Sequence, residues 1–303
     1  GRRLLQRMRE HPAAPIFRNQ SGNRLLAEEV TQLRAYEQQV MATRFEWQPG
    51  VPPPWLAGFL DAVHAQVPYF RARGRGTAFE ALPTTDRGDL AADIARFVPD
   101  PVPLERMMNF RTTGTTGHPL VLPSHPVVAA RYLAYHKRAL ARFGIGLQHG
   151  RGQMGVMLLG MQQRCFTYVS VTPTMDESGL AKINLHPNDW RDVDDRARYI
   201  DQMQPEVIAG DPISFATLLQ LPLSHRPRVL LSVSMALSTG LRTALEARFG
   251  CPVLDLYSMN EAGPLAVHDD AYGGHVLLQP GMYVEVVDAA ARALPAGQEG
   301  EIT

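Results

Sequence analysis

Two short stretches carry residue types whose spacing could do chemistry. The first, Thr112-Thr-Gly-Thr-Thr-Gly117, packs four threonines and two glycines into six positions and is followed by His118 and Pro119. Such a run makes neither an amphipathic helix nor an alternating strand. It suits a loop in which Gly114 and Gly117 admit positive φ and close backbone approach, while the hydroxyls of Thr112, Thr113, Thr115 and Thr116 and successive N–H groups converge on an anion. A polar surface connection has the same composition and is the competing account. The second stretch is Asp255-Leu-Tyr-Ser-Met-Asn-Glu-Ala-Gly-Pro264, which follows an apolar run and is expected at the C-terminal end of a buried strand, where open α/β sheets bind ligands. Tyr257 offers an aromatic face to a purine, Asn260 an amide and Glu261 a carboxylate. Magnesium takes oxygen ligands, commonly one or two carboxylates with substrate phosphates, so Glu261 near a phosphate loop is the candidate metal ligand. A solvated glutamate or a helix cap is the alternative.

Several chemistries lack their motifs. The chain holds no Gly-x-x-x-x-Gly-Lys-Ser/Thr, no Gly-x-Gly-x-x-Gly after a strand, no Gly-x-Ser-x-Gly and no His-Glu-x-x-His. Lysine plus arginine and aspartate plus glutamate each number 30, so no global positive field points to nucleic acid. Cys165 and Cys251 form neither a disulfide framework nor a zinc knuckle, and no apolar run approaches the ~18 residues of a membrane span. A cytoplasmic protein with no membrane partner is expected. His268 and His275 flank an Asp-Asp pair, but two histidines in a loop fall short of the four ligands of a closed zinc site and are read as surface residues.

The elements that must position these stretches are legible in outline. Residues 23–44 and 55–67 have one apolar face each, and Thr85 or Asp86 can cap a helix before Leu90. After the Thr/Gly run, strand and helix signals alternate. Strands are expected at 120–122, 154–159, 166–171, 205–210, 228–232 and 252–256, and helices after Ser124, before Ile200 and from a Ser238 cap to Phe249. Such alternation argues a mostly parallel sheet flanked by helices. From Gly274 closely spaced strands follow, at 276–279 and 283–287. The expected partition is a helical N-terminal segment over 1–80, an α/β core over 81–273 and the start of a small β-rich subdomain over 274–303. The chain begins at Gly1 and stops inside what reads as a strand, so a longer polypeptide is expected.

Thr112-Thr-Gly-Thr-Thr-Gly-His-Pro119 resembles the Ser/Thr-Ser-Gly-Thr-Thr-Gly-Lys-Pro phosphate loop of adenylate-forming enzymes, and Tyr257-Ser-Met-Asn-Glu261 resembles their Tyr-Gly-x-Thr-Glu motif. Within that superfamily Leu82-Pro-Thr-Thr-Asp-Arg-Gly-Asp-Leu90, Glu206-Val-Ile-Ala-Gly-Asp-Pro-Ile-Ser214 and Leu277-Leu-Gln-Pro-Gly-Met-Tyr-Val-Glu285 resemble the phenylacetate-CoA ligase and capsular-polysaccharide branch. The likeness covers about residues 80–303.

The resemblance implies the large N-terminal domain of an adenylate-forming enzyme, with its C-terminal lid absent. It implies ATP as cofactor and attack of a carboxylate on the α-phosphate, giving an acyl-adenylate and pyrophosphate. CoA or a carrier thiol then takes the acyl group. An aryl or arylacetic acid is the first substrate guess, and relatives suggest a homodimer. Thr113, Thr115, Thr116 and Glu261 with Mg²⁺ would act on the departing phosphates, assisted by Thr112, Gly114, Gly117 and His118, while Asp255, Leu256, Tyr257, Ser258 and Asn260 would line the nucleotide. Ser234 and Met235, in a segment resembling the family's Gly-Gly-Glu-Ala, would border adenine; as plain sequence the same segment is a strand end running into the Ser238 cap. Tyr132, Tyr135 and His136 could line an acyl pocket or form a core-facing stripe. Three departures stand out. His118 replaces the family lysine, Ser258 replaces a glycine, and the chain ends before the Arg-Tyr-x-Thr-Gly-Asp segment and the lid lysine. Two alternatives stay open: a non-catalytic or partial nucleotide- or partner-binding domain, and adenylyl or amide transfer to another small molecule.

Overall fold

The computed structural model describes the chain except residues 20–23, 46–47, 49, 74–78, 80–81 and 112–119. In chain order the elements are α1 (Arg2–Glu10), α2 (Ala27–Ala42), α3 (Trp55–Gln66), α4 (Pro68–Arg71), α5 (Arg87–Ala92), β1 (Met108–Arg111), β2 (Val121–Ser124) and α6 (Pro126–Arg142). Then come β3 (Met154–Gly160), β4 (Tyr168–Thr172), β5 (Ser178–Asn184), α7 (Asp195–Met203), β6 (Val207–Gly210), α8 (Pro212–Leu219), β7 (Val229–Ser232) and α9 (Thr239–Phe249). Strands β8 (Val253–Met259), β9 (Gly263–Asp269), β10 (Gly274–Leu277), β11 (Val286–Val287) and β12 (Glu301–Ile302) complete it.

Two compact units result: residues 1–41 with 130–278, and residues 42–129 with 279–303. The first is built on an eight-stranded sheet of order β10-β9-β8-β7-β6-β3-β5-β4. Its five middle strands are parallel, and antiparallel pairs close both edges. Strands β6 and β7 are buried at every position, as continuous apolar runs require when helices cover both faces. Alternate residues feed two cores. Ile208, Leu230 and Val253 meet α1, α7, α8 and α9, whereas Val207, Ala209, Val229, Leu231, Leu254 and Leu256 meet α2 and α6. This is the expected α/β architecture.

The N-terminal residues pack differently from a separate helical segment. Leu4 and Met8 of α1 are buried in the sheet core, the Tyr199 hydroxyl donates to the Met8 carbonyl at 2.8 Å, and Gly179 leaves room for α1, since a Cβ there would lie 2.8 Å from the Met8 sulfur. Residues 16–19 then strap the sheet edge through Ile16 N–H to the Asp189 carbonyl, 2.7 Å, and Asn19 N–H to the Thr167 carbonyl, 3.1 Å. The boundary expected at 273 falls at 278 instead, because β10 is an edge strand of the large sheet, paired with β9. Strands β1, β5 and β9 and helix α8 add to the expected elements, and the strand expected at 283–287 contracts to Val286–Val287.

In the second unit β1 pairs with β2 antiparallel, with Arg111 opposite Val121, and β11 pairs with β12. Asp86, not Thr85, caps α5: its carboxylate accepts from Asp89 N–H while the Asp89 carboxylate accepts from Asp86 N–H, both at 3.0 Å. Tyr69 and Phe97 stack at 4.1 Å, and Phe79 meets Tyr283 edge-on at 5.7 Å, joining the unit's two chain segments. No described helix is long and apolar enough to cross a membrane.

Candidate active site

Strand β8 changes partner along its length, and that change creates the site. Through Asp255 it pairs in parallel with β7; from Leu256 it pairs antiparallel with β9, with an irregularity between Tyr257 and Ser258. The strand thus continues past the last residue of β7 and turns at 260–262, so Asp255 to Glu261 occupy the C-terminal edge of the parallel sheet. Tyr257, Met259, Asn260 and Glu261 are exposed, and Ser258 is partly buried. Leu256 is 2% exposed and packs in the core below, which leaves only its backbone for a ligand. This differs from the side-chain role assigned to its neighbours.

Asp255 is half-buried in the row behind Tyr257. Burial pushes its carboxyl above the usual carboxylate range, against the pull of His275, the Leu237 N–H, His268 and Arg242. Leu237, in the segment after β7, thus lies near the Asp255 carboxylate of β8. Ser234 and Met235 lie exposed in that segment, and Ser234 holds φ 73°, a left-handed backbone uncommon for a residue with a Cβ. Ser238 caps α9 as expected, its hydroxyl accepting from Leu241 N–H at 3.3 Å.

His268 and His275 are directly opposite one another on β9 and β10, not in a loop. Their rings meet edge-on at 5.3 Å, and His275 in turn meets Tyr257 at 6.1 Å. Desolvation lowers the His275 pKa, with Asp255 acting against it and His268 reinforcing it. Among the described residues no group of three His, Cys, Asp or Glu side chains could hold a metal ion.

Behind the turn stands Tyr132 of α6. Gly263 has φ 77°, and a Cβ there would lie 2.7 Å from two ring carbons of Tyr132. Burial, and then the Glu261 carboxylate, raise the Tyr132 phenol's pKa. Tyr135 faces the core instead, its hydroxyl bonded to that of Tyr36. The periodicity of α6 shows an aromatic face, but only the Gly-Pro after Glu261 hints at a close approach by one of its rings.

Ser234, Met235, Asp255, Tyr257, Ser258, Asn260 and Glu261 are therefore brought together at one sheet edge. The phosphate-loop candidates Thr112, Thr113, Gly114, Thr115, Thr116, Gly117 and His118 lie outside the described residues. An exposed ring beside a carboxylate and an amide can stack on a flat heterocycle and offer oxygen to a hydrated cation.

The family model for AMP-binding enzymes matches residues 110–303, well over half of the sequence, and the chain belongs to that family. Among solved structures, 2-hydroxyisobutyryl-CoA ligase in an open conformation with 2-HIB-AMP and CoA superposes with a TM-score of 0.58 at 18% identity, over 82% of this chain and 63% of that one. The same ligase in its thioesterification state gives 0.53 at 18% identity, over 92% and 60%. An anthranilate-CoA ligase with anthranoyl-AMP gives only 0.44 at 15% identity, over 99% and 68%. The chain thus spans about three fifths of the hydroxyisobutyryl-CoA ligase. No curated protein sequence matches.

Proposed function

We propose that this chain is the nucleotide-binding, carboxylate-activating part of an adenylate-forming ligase. The observation that carries the proposal is the junction of family membership with the β8 edge, where Tyr257 and Glu261 of the second motif share one exposed rim. Tyr257 stacks on adenine, with Ser234, Met235 and Asn260 around it. Glu261 would hold Mg²⁺, which would supply positive charge to the phosphates, and Thr112, Thr113, Thr115, Thr116 and His118 would offer hydroxyls, N–H groups and an imidazole to the departing pyrophosphate. CoA is the proposed acceptor, in keeping with the CoA ligases that share the fold. The proposed acid is aryl or arylacetic, on the phenylacetate-CoA ligase-like segments.

The test is exchange of labelled pyrophosphate into ATP in the full natural polypeptide across a panel of carboxylic acids. Exchange with at least one acid is expected, and Glu261→Gln should slow it roughly 100-fold, the scale for removing one electrostatic stabiliser of developing charge. No exchange with any acid overturns catalysis. His118, standing where the family has lysine, favours a second reading in which nucleotide binds without turnover; there, ATP binding survives Glu261→Gln with no exchange in either protein.

A further inference from the structure

At the opposite edge of the same sheet lies a cavity of about 370 Å³ that the nucleotide reading does not use. Met154 opens β3, Glu206 immediately precedes β6 and Arg228 immediately precedes β7. Their backbones are stitched together by Glu206 N–H to the Met154 carbonyl, 3.3 Å, and Arg228 N–H to the Glu206 carbonyl, 2.8 Å. These strands are parallel, so the cavity faces away from the C-terminal edge that carries Tyr257 and Glu261.

The lining is cationic. Arg7, Arg226 and Arg228 line the cavity with a single carboxylate, Glu206. That carboxylate is already engaged, accepting from Gln148 N–H at 2.7 Å and from His149 N–H at 2.8 Å, with His149 Nδ1 2.7 Å away in a side chain only 4% exposed. Arg228 stands 3.9 Å from Glu206, too far for a hydrogen bond. Arg7 spends one N–H on the Gln202 carbonyl at 3.3 Å, and Arg226 has no hydrogen-bond or ion-pair partner among the described residues. Three guanidinium groups against one saturated carboxylate leave an excess of two positive charges. Guanidinium forks match phosphate oxygens in geometry and charge.

We propose that this cavity binds a small phosphorylated anion through Arg7, Arg226 and Arg228, at a site separate from the Tyr257–Glu261 edge. The anion replaces the missing counter-charge, and Gln153, whose amide oxygen accepts from Gly150 N–H at 2.8 Å, lines the same wall with its amide N–H₂ as a donor for a further oxygen. A free polyphosphate and a nucleoside monophosphate share this chemistry.

The test is isothermal titration calorimetry on a Tyr257→Ala, Glu261→Gln chain, which weakens binding at the other edge, with inorganic pyrophosphate, AMP and citrate as separate titrants. Saturable binding of pyrophosphate or AMP is expected, and the tighter of the two assigns the source. Arg226→Ser removes charge without removing a hydrogen bond or ion pair among the described residues and should weaken that binding about tenfold or more, as loss of a charge-assisted hydrogen bond does. Arg228→Ser should do the same, with circular dichroism confirming the fold. No saturable heat at millimolar titrant, tighter binding of citrate than of either phosphate, or affinity unmoved by Arg226→Ser and Arg228→Ser each overturn the proposal.

Discussion

Gly263→Ala probes the support of the Glu261 turn most directly. Gly263 is the first residue of β9, pairs with Met259 across the turn, and is buried against the Tyr132 ring. Two costs arise from one methyl group. An L-residue in the left-handed region pays about 1–2 kcal/mol, and Gly263 sits there with φ 77°. The new Cβ would also lie 2.7 Å from the Tyr132 Cδ1 and Cζ atoms, well inside ordinary contact. Overpacking of that kind costs about 1–3 kcal/mol when neighbours shift to relieve it. The expected total is roughly 2–5 kcal/mol.

Urea unfolding followed by far-ultraviolet circular dichroism measures the total, and a double-mutant cycle with Tyr132→Leu separates its parts. The smaller side chain should relieve the steric share and leave the backbone share, so Gly263→Ala is expected to cost about 1–3 kcal/mol less in the Tyr132→Leu background. Pyrophosphate exchange at a temperature where both proteins are folded should fall as well, because a displaced ring or strand moves Asn260 and Glu261. A cost below about 0.5 kcal/mol, or the same cost in both backgrounds, would refute the view that Tyr132 braces this turn.

Two further outcomes follow from groups away from the rim. Burial pushes the partly buried His136 imidazole down to about 4 from its ordinary 6.5, so the unfolded chain takes up the proton first. Stability from this group is complete above about pH 6.5 and is lost as pH falls toward 4, by an amount on the order of 3 kcal/mol; thermal melts from about pH 7 to about 4.5 should show a steeper decline for the wild type than for His136→Gln. Asp189, fully buried, receives Arg18 Nε–H at 2.6 Å and the Asn184 amide at 2.8 Å. Arg18→Ala strands that carboxylate and is expected to cost about 3 kcal/mol in urea unfolding, whereas a loss under about 1 kcal/mol would mean that Asn184 alone satisfies it.

The parts of this fold legible in the sequence are those whose burial is local. Val207–Gly210 and Val229–Ser232 are apolar at nearly every position, and Ser238 announces the start of α9. Ser178–Asn184 is different. It contains Gly179 and Lys182, and it becomes a strand because β3 and β4 flank it on both sides, a pairing that no periodicity reveals. Gly263-Pro264 reads as a turn because those residue types make turns, yet both belong to β9, with Gly263 supplying the positive φ at its start. The arginine-lined cavity was illegible for a third reason. Its members come from α1 and from the segments before three strands that are adjacent in space and far apart in the chain.

Backbone strain separates the candidate site from ordinary chain geometry. Asp176 and Glu177 have positive φ in the tight connection from β4 to β5, and Gln204 has it where α7 ends, its N–H bonded to the Ile200 carbonyl at 3.0 Å. Each of these is a turn or cap that the chain reversal itself demands. Ser234 is neither. It stands two residues past β7, four before the α9 cap, and no described helix end or hairpin calls for φ 73° there. A left-handed serine costs energy that the surrounding contacts must offset. Strain at Ser234 and close packing at Gly263 thus fall on the segments either side of Tyr257, the rim that carries the Tyr257–Glu261 motif.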